Sequence, residues 1–291
     1  MDHPLILMVV YRLNVISERD FKTALDQVIK DEDEIIVLYS GLTSLIYNLN
    51  FNISKTSEIP KKILNLIENK IGKKRSLFLP SFSGNFFNKN RFFDIKKSID
   101  NNNGILPKLA LKRNYLRTRQ PIHSYLVYGK TSVLKKINLR SSWGENSLLE
   151  FFSKNNARIC NLGLPWNKGC SYLHRFEDVY KVPWRYNKEI KSDLFNNGKK
   201  IGKCSEIKYC SSLVVPLNYD YKPFIKKIEK SKTFCKSSNK HLKFESIKTN
   251  CLDKIGQKIF SKNPWIIVKN KEQTKIWIKN KKEKEMSILN K

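Results

Sequence analysis

Ile35-Ile36-Val37-Leu38-Tyr39, running into Ser40-Gly41-Leu42-Thr43, is the stretch whose reading decides the fold. A short β-branched, apolar run between the acidic turn at Asp31 to Glu34 and a set of small residues predicts a strand buried on both faces. The same cycle recurs downstream. Ile59 to Ile71 has helical periodicity behind Pro60, and Gly72 with Lys73, Lys74 and Arg75 breaks it. Ser76 to Leu79 then predicts a second strand, ending in Pro80-Ser81-Phe82-Ser83-Gly84. Strand, small polar turn, helix, strand and small polar turn is the pattern of a parallel sheet with crossover helices. The expected fold is α/β: three layers, α/β/α, around a central mixed, largely parallel sheet. Residues 1–268 are expected to form a single domain, with 269–291 as a lysine-rich tail.

Open sheets of this class bind ligands beyond the carboxyl ends of their strands. That draws attention to Ser40, Gly41 and Leu42 and to Ser81 and Ser83, where small side chains leave backbone N–H groups available to a phosphate or amide. The turn matches neither Gly-x-Gly-x-x-Gly nor a P-loop.

Outward from this core, Ser17-Glu-Arg-Asp20 reads as a helix start, followed by Phe21, Ala24, Leu25, Val28 and Ile29 at helical spacing. Periodicity fails from Asn85 to Leu116, and such a long irregular segment suits a binding loop, with Asp94 as its notable acid. Arg117-Thr-Arg-Gln-Pro-Ile-His-Ser124 places two arginines beside a proline turn, either an anion clamp or a surface pair. Tyr125 to Gly129 and Arg158 to Leu162 read as strands, and Ser142 to Ser147 caps a helix from Leu148 to Asn155. After Tyr186 the pattern weakens. Ser211 to Leu217, Phe244 to Ile247 and Trp265 to Val268 are strand candidates, Thr249 to Phe260 is a helix candidate, and no internal repeat is evident.

The chemistry concentrates in Cys-Ser-Tyr-Leu-His-Arg-Phe-Glu, Cys170 to Glu177. His174 and Glu177 lie three apart, on one face of a helix, so carboxylate and imidazole can meet. A carboxylate on one ring nitrogen fixes the tautomer and makes the other a better proton acceptor. Ser171 is placed to cap that helix, and Pro183 to end it. Cys170, four residues before His174, leaves a thiol nucleophile as an alternative.

A chain of 291 residues, 40% hydrophobic, can bury a substantial core, and no apolar run reaches the roughly 20 residues of a membrane helix. Leu5 to Tyr11 follows Asp2 and ends at Arg12, unlike a signal peptide, so a cytoplasmic location is expected. Six cysteines without ligand spacing argue for free thiols and no metal. The net charge of +30 fits either a polyanionic partner or a Lys-, Asn- and Ile-rich composition, because the lysines spread along the whole chain. Nucleic-acid binding through charge and stacked aromatics is the reading from another class. Most aromatics sit in apolar runs, however, so neither nucleic acid nor membrane is the expected partner.

Read as Ser-x-x-His-x-x-Glu after Leu162-Gly163, the histidine segment resembles the Thr-x-x-His-x-x-Glu motif of the aminoglycoside 3-N-acetyltransferase (antibiotic N-acetyltransferase) family. Other landmarks follow in that family's order. Ser40-Gly41-Leu42 resembles its His-Ser-Ser-Leu, and Leu79 to Ser83 its Pro-Thr-Phe-Thr. Phe93-Asp94 is similar to its Phe-Asp, and Gly104 with Pro107 to its Gly-x-Leu-Pro. Arg117, Thr118 and Ser124 match the outer positions of its Arg-Ser-x-His-Pro-x-x-Ser, and Gly144 with Ser147 its Gly-x-x-Ser. The resemblance implies acyl transfer from acetyl-coenzyme A to an amine, with His174 as general base and Glu177 orienting it. It implies that Ser40, Gly41, Leu42, Ser81, Ser83, Arg117 and Ser124 lie on the coenzyme A side. Asp94, Gln120, Glu145 and Ser171 would lie on the substrate side. Gln120 departs from the pattern, standing where the family has histidine before proline, while His123 is shifted; Leu148 replaces a proline. Family members that resemble this chain in lacking that histidine belong to polysaccharide gene clusters and act on nucleotide-linked amino sugars. Such an acceptor is expected here, since a chain of +30 repels polycationic aminoglycosides. A drug-acetylating enzyme and a non-catalytic sugar-nucleotide binder are the rivals, and a homodimer is compatible with either.

Overall fold

In chain order, β1 (Ile16–Ser17), α1 (Glu18–Val28), β2 (Ile35–Ser40), α2 (Thr43–Ile46), β3 (Leu49–Asn50) and α3 (Ile59–Ile71) open the fold. Then come β4 (Ser76–Pro80), α4 (Gly84–Asn90), β5 (Phe92–Asp94), α5 (Ile105–Lys112), β6 (Leu116–Arg117), β7 (Tyr125–Gly129), α6 (Leu148–Lys154) and β8 (Arg158–Leu162). The last third holds α7 (Trp166–Gly169), α8 (His174–Val179), β9 (Arg185–Asn196), β10 (Lys199–Ser211), α9 (Lys222–Glu229), β11 (Cys235–Lys236), β12 (Phe244–Lys248) and α10 (Thr249–Phe260). This computed structural model describes residues 16–46, 48–51, 53, 55–211 and 217–279. The Leu5 to Tyr11 segment, most of the expected strand at 211–217 and the end of the lysine-rich tail lie outside the described residues.

The main sheet runs β11-β12-β8-β2-β4-β7-β6. Its three central strands, β8, β2 and β4, are parallel, and the outer pairings are antiparallel. The sheet is thus mixed as expected, with its parallel part confined to the centre. The period-2 geometry of a strand sorts one run of residues between two cores. Val37 and Tyr39 pack with Phe78, Tyr125, Phe152, Ile159, Phe176 and Leu252, beneath α6, α8, α9 and α10. Ile36 and Leu38 pack on the other face with Leu25, Ile63, Leu77, Leu106 and Leu162, beneath α1, α3 and α5. A strand hydrophobic on both faces demands helices on both sides, and the three layers follow. Caps fix the helix starts: Ser17 and Asp20 form a capping box on α1, and the Ser147 hydroxyl accepts from the Glu150 N–H at 3.1 Å on α6.

The segment after Tyr186 departs from its expected ambiguity. β9 and β10 make a long antiparallel hairpin whose β9 edge pairs in parallel with β5. Trp265 to Val268 is not a strand: Pro264–Ile267 is a 3-10 turn, with only a bridge from Val268 to Tyr219. Beyond Lys269, Thr274 is buried and Trp277 and Ile278 pack on the core, so this part of the tail belongs to the packed body. Among the described residues no helix is long and apolar enough to cross a membrane, and no cluster of potential metal ligands occurs.

Candidate active site

Strand β8 ends at Leu162, and the chain turns back through α7 to the 3-10 turn Ser171–Leu173, which runs directly into α8. Helix α8 is anchored by Phe176, which packs against Phe224 and Phe260. Gly256 of α10 permits this: a Cβ there would sit 2.1 Å from the Phe176 ring. The anchored helix presents His174 and buries Glu177 completely. The His174 Nδ1–H donates to Glu177 Oε2 at 2.5 Å, which leaves the accepting lone pair on Nε2. Glu177 also accepts from Trp184 Nε1 at 3.0 Å and from Arg185 Nη2 at 3.0 Å. Burial alone would raise the Glu177 carboxyl, but the His174 ring, Arg185 and the Trp184 N–H bring it down to about 2. Burial is also the largest influence on His174 and holds it below the ordinary value of 6.5; Glu177 works against that shift, while Arg185 and His123 add to it. The pair is therefore a neutral imidazole beside a permanent carboxylate, the form a general base requires.

Trp143 stacks on the His174 ring, centroids 4.7 Å apart. It reaches there because Gly144 lets the turn close onto α8, where a Cβ would lie 2.6 Å from Asp178 Oδ2. Trp143 also meets His123, edge-on at 5.3 Å between centroids, and His123 is in turn edge-on to Phe82. Its Nδ1–H donates to Glu206 Oε1 at 2.6 Å. His123, Tyr39, Ser40, Phe82, Asn103 and Lys208 contribute to a 370 Å³ cleft at the carboxyl ends of β2 and β4. Tyr39 links cleft and helix, its hydroxyl lying 2.8 Å from Ser171 Oγ and 3.2 Å from Tyr125 Oη.

The structure joins His174 to Glu177 and Ser171 to Tyr39, whose neighbour Ser40 lines the cleft, and it engages the other expected site residues in bonds of their own. Ser171 does not cap α8 with its side chain; its hydroxyl joins Tyr39 and Tyr125 instead. Arg117 is not a phosphate clamp. It is buried, and its guanidinium donates to Ser124 Oγ (3.0 Å), to the Ser81 carbonyl (2.6 Å) and to the Ser98 carbonyl. Burial lowers its pKa to about 9. Ser81, Ser83 and Ser124 belong to the same buried knot, with Ser83 Oγ donating to the Pro121 carbonyl at 2.7 Å. Leu42 is core, and the Gly41 N–H is taken by the Leu162 carbonyl at 2.9 Å. The N–H groups of Ser81, Phe82 and Ser83 are likewise engaged inside the protein, so these turns do not cradle an anion. Asp94 is buried and accepts from the Asn197 and Gly198 N–H groups, closing the β9–β10 turn. Gln120 is buried with its amide on the Ser141 carbonyl, and Glu145 is exposed on its turn. Cys170 is buried and its thiol is pushed up to about 12, which removes the nucleophile alternative at neutral pH.

Trp143, Arg185 and Glu206 carry no role in the sequence analysis, and His123 figures there only as a histidine shifted from the family's position. Arg185 follows the helix closely enough to have been suspected, but Glu206 is 83 residues from His123 and carries no local signal.

The family model described as aminoglycoside 3-N-acetyltransferase matches residues 53–253. No curated protein matches the chain by sequence. Among solved structures, AAC-IIIb in binary complex with CoASH is 14% identical, TM-score 0.66, covering 83% of this chain and 95% of that one. AAC-VIa bound to sisomicin is 12% identical, TM-score 0.63, covering 84% and 97%. YokD protein from Bacillus subtilis is 13% identical, TM-score 0.64, covering 84% and 93%.

Proposed function

The chain belongs to the aminoglycoside 3-N-acetyltransferase family, and from that premise we propose that it transfers an acetyl group from acetyl-coenzyme A to the amine of a nucleotide-linked amino sugar in the cytoplasm. The observation that carries the reading is the buried Glu177 bonded to His174, which holds the ring as a neutral base. In this mechanism the amine nitrogen attacks the thioester carbonyl while His174 Nε2 takes its proton, and Glu177 stabilises the imidazolium that forms. The proton then passes to the departing thiolate. The Ser171 hydroxyl, held by Tyr39 and Tyr125, is the side-chain donor suited to the thioester oxygen.

Two cavities support a two-substrate reaction. The cleft shares Leu164 with a second pocket of 630 Å³ whose lining includes Lys236, Lys240, Lys243 and His241. Those cations suit phosphate groups, whether of coenzyme A or of a nucleotide-linked sugar, and the structural relative crystallised with CoASH agrees with such a donor. With a net charge of +30, an anionic nucleotide sugar is favoured over a polycation. The sisomicin-bound relative keeps an aminoglycoside acceptor as the second reading. Base stacking on nucleic acid has little support, because the exposed large hydrophobics among the described residues are aliphatic.

Thiol release from acetyl-coenzyme A, run against dTDP- and UDP-linked amino sugars and against aminoglycosides, tests the reading. Release with the nucleotide sugars alone is expected. Release with aminoglycosides alone would replace the acceptor, and no release with either, without coenzyme A binding by calorimetry, would overturn the proposal.

A further inference from the structure

Two imidazoles flank Trp143, and each carries a buried carboxylate on Nδ1. The family motif accounts for one of them. His123 lies on the turn between Pro121 and Ser124 and lines the cleft, and Trp143 touches its ring as well as that of His174. We propose that His123 is a second catalytic residue, which takes from the acceptor ammonium the proton that must leave before attack. This inference rests on the acyl-transfer reading given above.

The local construction fits that task. Glu206 has no exposed surface, and a buried carboxylate needs several donors to remain charged. It receives four: the Ile122 N–H at 2.9 Å, the His123 N–H at 3.1 Å, the Ser142 hydroxyl at 2.6 Å and His123 Nδ1–H at 2.6 Å. The carboxylate holds backbone and ring together, so the imidazole keeps one orientation and one tautomer, with Nε2 as acceptor. The charged and titratable groups near the ring are Glu206, bonded to Nδ1, with Lys208, Asp100 and Tyr39 lining the same cleft, and His174, which shares Trp143 with it.

Amine acylation releases two protons from nitrogen and returns one to sulfur. The acceptor enters as R–NH3⁺ and gives one proton to His123 Nε2. The neutral nitrogen then forms the C–N bond at the thioester carbonyl and gives its second proton to His174. The C–S bond breaks, and the thiolate takes that second proton, becoming the free thiol. The first leaves His123 for solvent through the cleft. Ammonium plus thioester becomes amide, thiol and one released proton, with no other reactant.

The test is the pH profile of kcat/KM for thiol release by the full chain, using acetyl-coenzyme A and an amino-sugar acceptor, with His123→Asn and His123→Gln beside wild type. Asn retains a donor on the Nδ1 side for Glu206, so its Tm should stay near wild type. The expected loss for His123→Asn is about 10²-fold at about pH 6.5. It should shrink to a few-fold at about pH 9.5, where an ordinary amine is already neutral. Equal loss at every pH, with lowered Tm in both variants, would make the pair a structural pin and overturn the inference. Wild-type rates for both variants at every pH would overturn it too, leaving the acyl-transfer reading intact. A wild-type enzyme that releases no thiol would overturn both.

Discussion

His174–Glu177 and His123–Glu206 have the same chemistry and opposite origins. The first pair lies within one turn of α8, and helical geometry alone brings its members together. The second spans 83 residues and exists only because the β9–β10 hairpin lays Glu206 under the 121–124 turn. The bond lengths, 2.5 Å and 2.6 Å, hardly differ. Their neighbours do: Glu177 also serves the cation Arg185, whereas Glu206 serves backbone N–H groups and a hydroxyl. The local pair is thus part of a charge network, and the distant one is a clamp on a turn.

Replacing His174 with Ala should break the comparison most severely. Thiol release should fall by about 10³-fold, while calorimetry with coenzyme A stays near wild type. In wild type the rate should decline as pH falls through the His174 pKa, which lies below 6.5, because the protonated ring cannot accept.

Glu177→Gln should come next, costing both rate and stability. It leaves Arg185, 5% exposed, without its counter-charge, and a loss of about 3 kcal/mol is expected in denaturant titration. The carboxyl's pKa is lowered from 4.5 to about 2 on folding. Its stabilisation is therefore complete above the unfolded value and disappears as pH falls through that interval. The Gln variant should lose that part of the acid slope.

Arg117→Met separates a structural knot from a ligand site. It strips donors from the Ser81 and Ser98 carbonyls, and about 2 kcal/mol of stability should go. The KM for acetyl-coenzyme A should not move. Gly144→Ala should cost about 1–2 kcal/mol, since its Cβ meets the buried Asp178 carboxylate, and should displace Trp143 from His174. Trp fluorescence with His174 titration would register the displacement. The smallest effect is expected from Cys170→Ala, whose turnover should remain within about two-fold of wild type, because a thiol pushed up to about 12 supplies no nucleophile.

Much of the fold was legible for simple reasons. Ile59–Ile71, Arg158–Leu162 and Thr249–Phe260 appear at the expected bounds because each carries a period or a run that one secondary structure satisfies. The hairpin was missed although Asn197-Gly198, at φ 51° and 85°, is the dipeptide favoured in a two-residue turn. Its flanking strands alternate charges with few apolar residues, so periodicity was faint. The polar residues Arg117, Asp94 and Gln120 misled for a related reason. In sequence a buried structural polar group looks like a functional one, and only burial and full hydrogen-bond satisfaction tell them apart.

The sequence by itself determined the layers of the sheet and the pairing of His174 with Glu177. Both follow from periods of two and 3.6 residues that act over a few positions. Tertiary structure alone decided which strands run antiparallel, which serines are buried by Arg117, and that Trp143 and Arg185 meet the His174–Glu177 pair while Glu206 meets His123. Those contacts join residues far apart in the chain, and no local spacing encodes them. They are fixed when two hydrophobic cores close on opposite faces of one sheet.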